Sequence, residues 1–276
     1  VIGPNARAAL AALRADPSSR TGRHPAHAFR PLPAMLARWA ADGIDTTPFH
    51  AGVENAQRRY AGYGLAEMLP FDRVLVGSAS TRVGAFGGFH HPDQGYRHLQ
   101  MVSLITMYGP MERRNPQHPA LAVLDLLRAY AHDCLHYGSR RRYVEVAGTP
   151  VRTQYGINYR RTNGQSYSAA DRSGSHHTRN LGVVMEGACD TEARSLTRET
   201  AERFGVTAPA EALDALAFRD MTGTLTAEDA AGHAEMVAEG GERARYAAAL
   251  CRYERGVHRR YARLLAEFAP GEEAEC

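Results

Sequence analysis

His132 and His136 stand four residues apart in the stretch AHDCLHYG, which runs from Ala131 to Gly138. On a helix this spacing puts two imidazoles on one face, one turn apart. Neutral imidazole is a good ligand for zinc and similar metals, and two of them can grip one ion. Asp133 lies beside the first histidine, where a carboxylate could serve water on that ion. A catalytic site commonly has three protein ligands and one open position. The third candidate is Glu186 in VVMEGACDTEAR, a carboxylate set inside an apolar run. Gly187 follows it and would let another backbone approach closely. Asp190 is four residues beyond Glu186 and shares its helical face. On this reading His132, His136 and Glu186 form a His2Glu site. Asp190 accepts the free N–H of a ligating imidazole and fixes its orientation.

HDCLH followed by EGACD resembles the zincin metallopeptidases, specifically the gluzincin branch. That branch has His-Glu-x-x-His on one helix and Glu-x-x-x-Asp on a later one. The resemblance implies a Zn(2+) cofactor held by His132, His136 and Glu186, with Asp190 supporting a ligand. It also implies hydrolysis of a peptide or small amide substrate. It covers two short motifs and the order of elements, and leaves out the N-terminal third. One position departs from the family: Asp133 stands where the family has the Glu that takes a proton from metal-bound water. Asp is one methylene shorter, and catalysis is sensitive to misplacement of about 1 Å.

The departure keeps a second reading open, a zincin-fold metalloprotein repurposed for small-molecule tailoring or binding without proteolysis. A third is a metal-free helical interaction protein, in which Asp125, Arg128 and His132 form a buried network. Hydrolysis also needs an oxyanion donor. Tyr155 and Tyr159 are the catalytic candidates, with Tyr167, His176 and His177 beside them. His177 is the substitute third ligand. Otherwise His90–His91 and His176–His177 read as exposed loop residues. The strand Leu99–Tyr108 could hold an extended peptide by strand addition.

These residues need elements to position them. A helix is expected over Pro119–Tyr137, with Pro in its first turn and Gly138 after its last. Apolar residues cover most of its circumference, so it should be buried. Asp125, Arg128, His132, Asp133 and His136 share one arc of roughly 140°. A buried helix with one ionisable stripe lines a cavity or a polar network. Cys134 points to the opposite side and reads as core. Glu186 and Asp190 fall on a helix over Leu181–Arg203, capped by Asn180.

Strands are expected over Arg73–Val76, Thr81–Phe86 and Leu99–Tyr108, with a turn-rich connection Phe89–Gly95. A hairpin follows, Tyr143–Val146 and Val151–Tyr159, joined through Gly148-Thr149-Pro150. A long loop, Thr162–Asn180, would close over substrate. Asn5–Arg14, Pro33–Ala41 and Val53–Met68 read as helices, with a loop from Asp16 to Pro33. Ala210–Phe218, Ala227–Glu239 and Glu242–Phe268 are also helical. The fold class is α+β, mainly helical, a zincin-like domain with a small sheet before the active-site helix and a helical C-terminal part. Three regions are expected: an N-terminal helical region over 1–70, a metal-binding core over 71–205 and a C-terminal helical subdomain over 206–276.

Composition removes several classes. All 33 basic residues of the 276 are Arg. There is therefore no Schiff-base lysine and no P-loop lysine. Net charge is +3, with Arg spread among Glu and Asp, unlike the concentrated basic face of a nucleic-acid binder. Cys134, Cys189, Cys251 and Cys276 form no CxxC pair, which argues against a Cys-only zinc site. No apolar run approaches the ~20 residues of a membrane span. No leader is visible, and the expected compartment is the cytoplasm.

Overall fold

The structure, a computed structural model, describes residues 7–8, 10–11, 29–65, 67–78, 87–90, 102–108, 118–159, 161–162, 181–226, 228–229 and 248–268. It is mainly helical with two small sheets. The first sheet has the order β1-β2-β4-β3, from β1 (Phe29–Pro31), β2 (Val74–Ser78), β3 (Gly87–His90) and β4 (Val102–Thr106). β2 and β4 are parallel, while β1 and β3 pair antiparallel at the two edges. Val74, Leu75 and Val76 of β2 are all fully buried. This continuous burial is that of a strand covered on both faces. Pro31, which lacks an N–H, sits on an edge strand where a donor is not required.

Two helices lie in the connection between β1 and β2: α1 (Leu32–Ala41) and α2 (Thr47–Gly62). The central helix is α3 (Pro119–Gly138), and nearly every residue from Leu121 to Tyr137 is buried. It packs on β4, on α2 and on α4 (Leu181–Arg203). Asp125 anchors its sheet side by accepting the Met107 N–H at 2.6 Å. Tyr60 of α2 donates to the Ala131 carbonyl at 3.2 Å. The second sheet is a meander of β5 (Arg141–Val146), β6 (Thr149–Tyr155) and β7 (Asn158–Tyr159). α5 (Ala212–Thr222) follows α4 and ends at Gly223 in the left-handed conformation. Residues 248–253 are helical, pass through a π-helical turn (Glu254–His258) and continue as α6 (Arg259–Phe268). One contiguous core runs from Leu32 to Leu250 and draws on all three expected regions. Among the described residues no helix is long and apolar enough to cross a membrane.

Several local expectations shift. The helix expected over Val53–Met68 spans Thr47–Gly62, because Pro48 suits a first turn and Gly64, at φ 80°, ends the run. The segment expected as loop before Pro33 contributes β1, a strand too short to show alternation. β3 falls at Gly87–His90, overlapping the start of the expected connection, and residues 81–86 lie outside the described set. The hairpin turns at Ala147-Gly148, both with positive φ, 49° and 75°. That is the pattern of a two-residue hairpin turn matched to strand twist. A second turn at Gly156 divides the expected strand Val151–Tyr159 into β6 and β7. The expected cap Asn180, the loop 163–180 and most of the helix Ala227–Glu239 lie outside the described residues.

Candidate metal centre

α3 and α4 present their functional side chains to each other. The polar stripe of α3 stays on the buried side because α4 answers it with two acids one turn apart, Glu186 and Asp190. His136 Nε2 lies 2.9 Å from His132 Nε2. Glu186 Oε2 is 3.3 Å from His132 Nε2, and Oε1 is 3.3 Å from His136 Nε2. Three ligand atoms therefore converge from two helices. Atoms held about 2.0–2.2 Å from one tetrahedral ion lie roughly 3.3 Å from each other. His132, His136 and Glu186 each offer one ligand atom within 4.8 Å of the others, and two imidazoles with one carboxylate are a fitting donor set. The histidine side chains are 13% and 6% exposed, and that of Glu186 is 38% exposed, so the centre opens on the Glu186 side.

Asp190 is fully buried and sits behind the ligands. Its Oδ1 is 3.3 Å from His132 Nδ1 and accepts Arg128 Nη1–H at 2.9 Å. Arg194 Nε and His258 Nε2 approach its Oδ2 to 3.0 and 2.7 Å. Burial opposes charge on Asp190, but Arg194 and Arg128 hold its carboxyl well below the usual range. Burial likewise opposes charge on His132, and the Asp190 and Glu186 carboxylates outweigh it and push its pKa up to about 10. Glu186 is held well below its ordinary value by His136 and His132 against its own desolvation. The acids of α4 thus favour positive charge at His132.

Asp133 is buried, and burial raises its pKa, with His132 and His136 pulling it down. Tyr155 at the end of β6 stacks near His136, with ring centroids 5.6 Å apart. Burial, then the charges of Asp133 and Glu186, keep its phenol well above the ordinary value. Tyr155 therefore remains an O–H donor. Arg152 covers its ring at 4.4 Å. Arg141 donates to the His136 and Tyr137 carbonyls and caps the end of α3.

The structure brings together His132, His136, Glu186, Asp190, Asp133 and Tyr155. Tyr159 is exposed, and its hydroxyl accepts Gln154 Nε2–H at 3.2 Å. Tyr167, His176 and His177 lie outside the described residues. Within the stripe of α3, Arg128 donates to Asp190 and Asp125 accepts the backbone N–H of Met107. Cys134 and Cys189 are free buried thiols, and burial pushes Cys134 up to about 12.

Two contributors were invisible in the sequence. Tyr253 donates its hydroxyl to Glu186 Oε2 at 3.3 Å, and His258 reaches Asp190. They are five residues apart, a spacing that shares no face of a regular helix, so no periodic signal marks them. A second His-acid group, His118 with Glu211 and Asp214, joins the start of α3 to the start of α5, with His118 Nε2 3.1 Å from Asp214 Oδ2. The chain matches no protein-family model, no curated protein and no solved structure.

Proposed function

We propose that the protein is a zinc-dependent hydrolase of the zincin type, acting on a peptide or another amide bond. The convergence of His132, His136 and Glu186 within one 4.8 Å cluster carries this reading. When bound there, zinc supplies a Lewis acid and lowers the pKa of a coordinated water to about 7. Asp133, buried beside the ligands, takes the proton of the attacking water and returns it to the leaving amine. Its raised pKa suits a group that must both accept and release that proton. Tyr155, packed against His136 and kept as a neutral phenol by burial, can donate its O–H to the negative charge that develops on the substrate oxygen. Asp190 fixes His132 from behind.

The test is metal content by plasma mass spectrometry on the untagged protein, followed by a fluorogenic peptide panel. About one zinc per chain with amide hydrolysis supports the reading. Absence of stoichiometric metal from protein purified and dialysed with zinc ends it. The presence of Asp133 instead of Glu favours a second reading, a metal-binding fold without peptidase activity. Asp133→Glu separates the two: peptidase activity that appears only in this variant identifies an altered protease.

A further inference from the structure

The C-terminal helix carries its π-helical turn, Glu254–His258, directly opposite the metal-binding stretch of α4. The two helices run antiparallel. Gly187 lies against Tyr261, Asp190 against His258, and Arg194 against Glu254. In a regular α-helix, Tyr253 and His258 would diverge by roughly 140° around the axis. A π-turn bonds i to i+5 and takes up one extra residue, which brings such a pair back to about one face. Their rings are in fact neighbours, with centroids 5.4 Å apart and planes at 67°. From that shared face Tyr253 reaches Glu186 at 3.3 Å, and His258 reaches Asp190 at 2.7 Å.

We infer that Tyr253 and His258 are positioning residues of the metal centre, set in register by the π-turn. Tyr253 holds the Glu186 carboxylate, and His258 holds Asp190, which orients His132. The need is physical. Glu186 is the most open of the three ligands, at 38% side-chain exposure, and a long side chain loses rotamer freedom on binding. A hydroxyl donating to one of its oxygens removes part of that freedom beforehand. Asp190 has four groups around it, Arg128, Arg194, His132 and His258. The position of its carboxylate, and through it the His132 ring, depends on all four. π-turns occur mostly as single bulges at functional sites, and here the bulge supplies the register that an ordinary helix would lack.

This inference rests on the metal reading above, and zinc affinity distinguishes the two. The measurement is competition of the full chain with a fluorescent zinc chelator, beside thermal unfolding of the metal-free protein. Tyr253→Phe removes only the hydroxyl, and it should weaken zinc about 10–100-fold with little change in the metal-free melting temperature. His258→Ala should weaken zinc over a similar range, and His258→Gln, which keeps a donor, should recover part of the loss. Deletion of Gly256 returns the helix to α register and should lower affinity at least as far as either single variant. Wild-type protein that holds no zinc overturns the metal reading itself. Normal zinc affinity in both Tyr253→Phe and His258→Ala, with a zinc-binding wild type, overturns the positioning roles alone.

Discussion

Glu186 links the two helices at the point where chemistry is possible. Each of its oxygens faces one imidazole at 3.3 Å. Glu186→Ala removes the only ligand from α4 and should drop zinc from about one per chain to a small fraction, read by plasma mass spectrometry. Retention of a full equivalent would move the third ligand elsewhere. Asp133 has a different task, so its loss should have a different signature. A general acid–base group contributes about 10²–10⁴-fold to rate. Asp133→Asn should lose that much amide hydrolysis while zinc content stays at the wild-type level. Metal loss in this variant would instead make Asp133 a structural support of the ligands. The clustering of Glu186, Asp190 and the two histidines was legible because i, i+4 spacing is a local property. The turn at Gly156, which divides the expected strand before β7 and Tyr159, was not.

The contact between α4 and the C-terminal helix depends on a residue without a side chain. A Cβ on Gly187 would lie 2.5 Å from Tyr261 Cβ and 2.6 Å from Cγ. Those atoms are near the backbone and cannot swing away. Gly187→Ala should therefore cost about 1–3 kcal/mol in urea denaturation and weaken zinc by pushing Tyr253 off Glu186. Gly52→Ala is the useful control. Its Cβ would meet Leu127 Cδ2 at 2.3 Å, the mobile end of a side chain, at a contact between α2 and α3. The second variant should leave zinc affinity nearly unchanged, and an equal loss in both would remove the special role of the α4 contact. Element boundaries were readable in proportion to their punctuation. α3 was placed almost to the residue by Pro119 and Gly138, whereas β1 has only three residues and no period to detect.

Across the molecule, a buried ionic hub joins four elements. Asp190 of α4 meets Arg128 of α3 and His258 of the C-terminal helix, and Arg194 continues the chain to Asp220 of α5 and to Glu254. Removing one partner of such a network strands buried charge. Asp190→Asn should cost about 3–5 kcal/mol in chemical denaturation, even without metal. A loss below 1 kcal/mol would show that the guanidinium groups find other partners. Asp125 sets a pH dependence on the other side of α3. Burial lifts its pKa from 3.8 to about 6, against Arg128 and the Met107 and Tyr108 N–H groups. A carboxyl with a raised folded-state pKa stabilises the fold while it is protonated. That contribution is whole below pH 3.8 and is lost as pH rises through about 6. The loss is roughly 3 kcal/mol. Asp125→Asn cannot titrate, so its stability relative to wild type should rise between pH 4 and pH 7. Parallel stability profiles would refute the assignment.

The sequence alone determined the helical class, the buried ligand helix and the two motifs, because hydrophobic period and i, i+4 spacing are written within single elements. Tertiary structure decided what those motifs meet. Tyr253 and His258 lie 67 and 68 residues beyond the acids they touch, and their pairing depends on a local π-turn and on how closely Gly187 lets two helices approach. Arg128 donates to Asp190 across the helix interface, where a fully buried carboxylate needs a compensating charge. Local pattern records which groups are present on a face. Which partner each one takes follows from the packing of the opposite face, and that is a property of the whole fold.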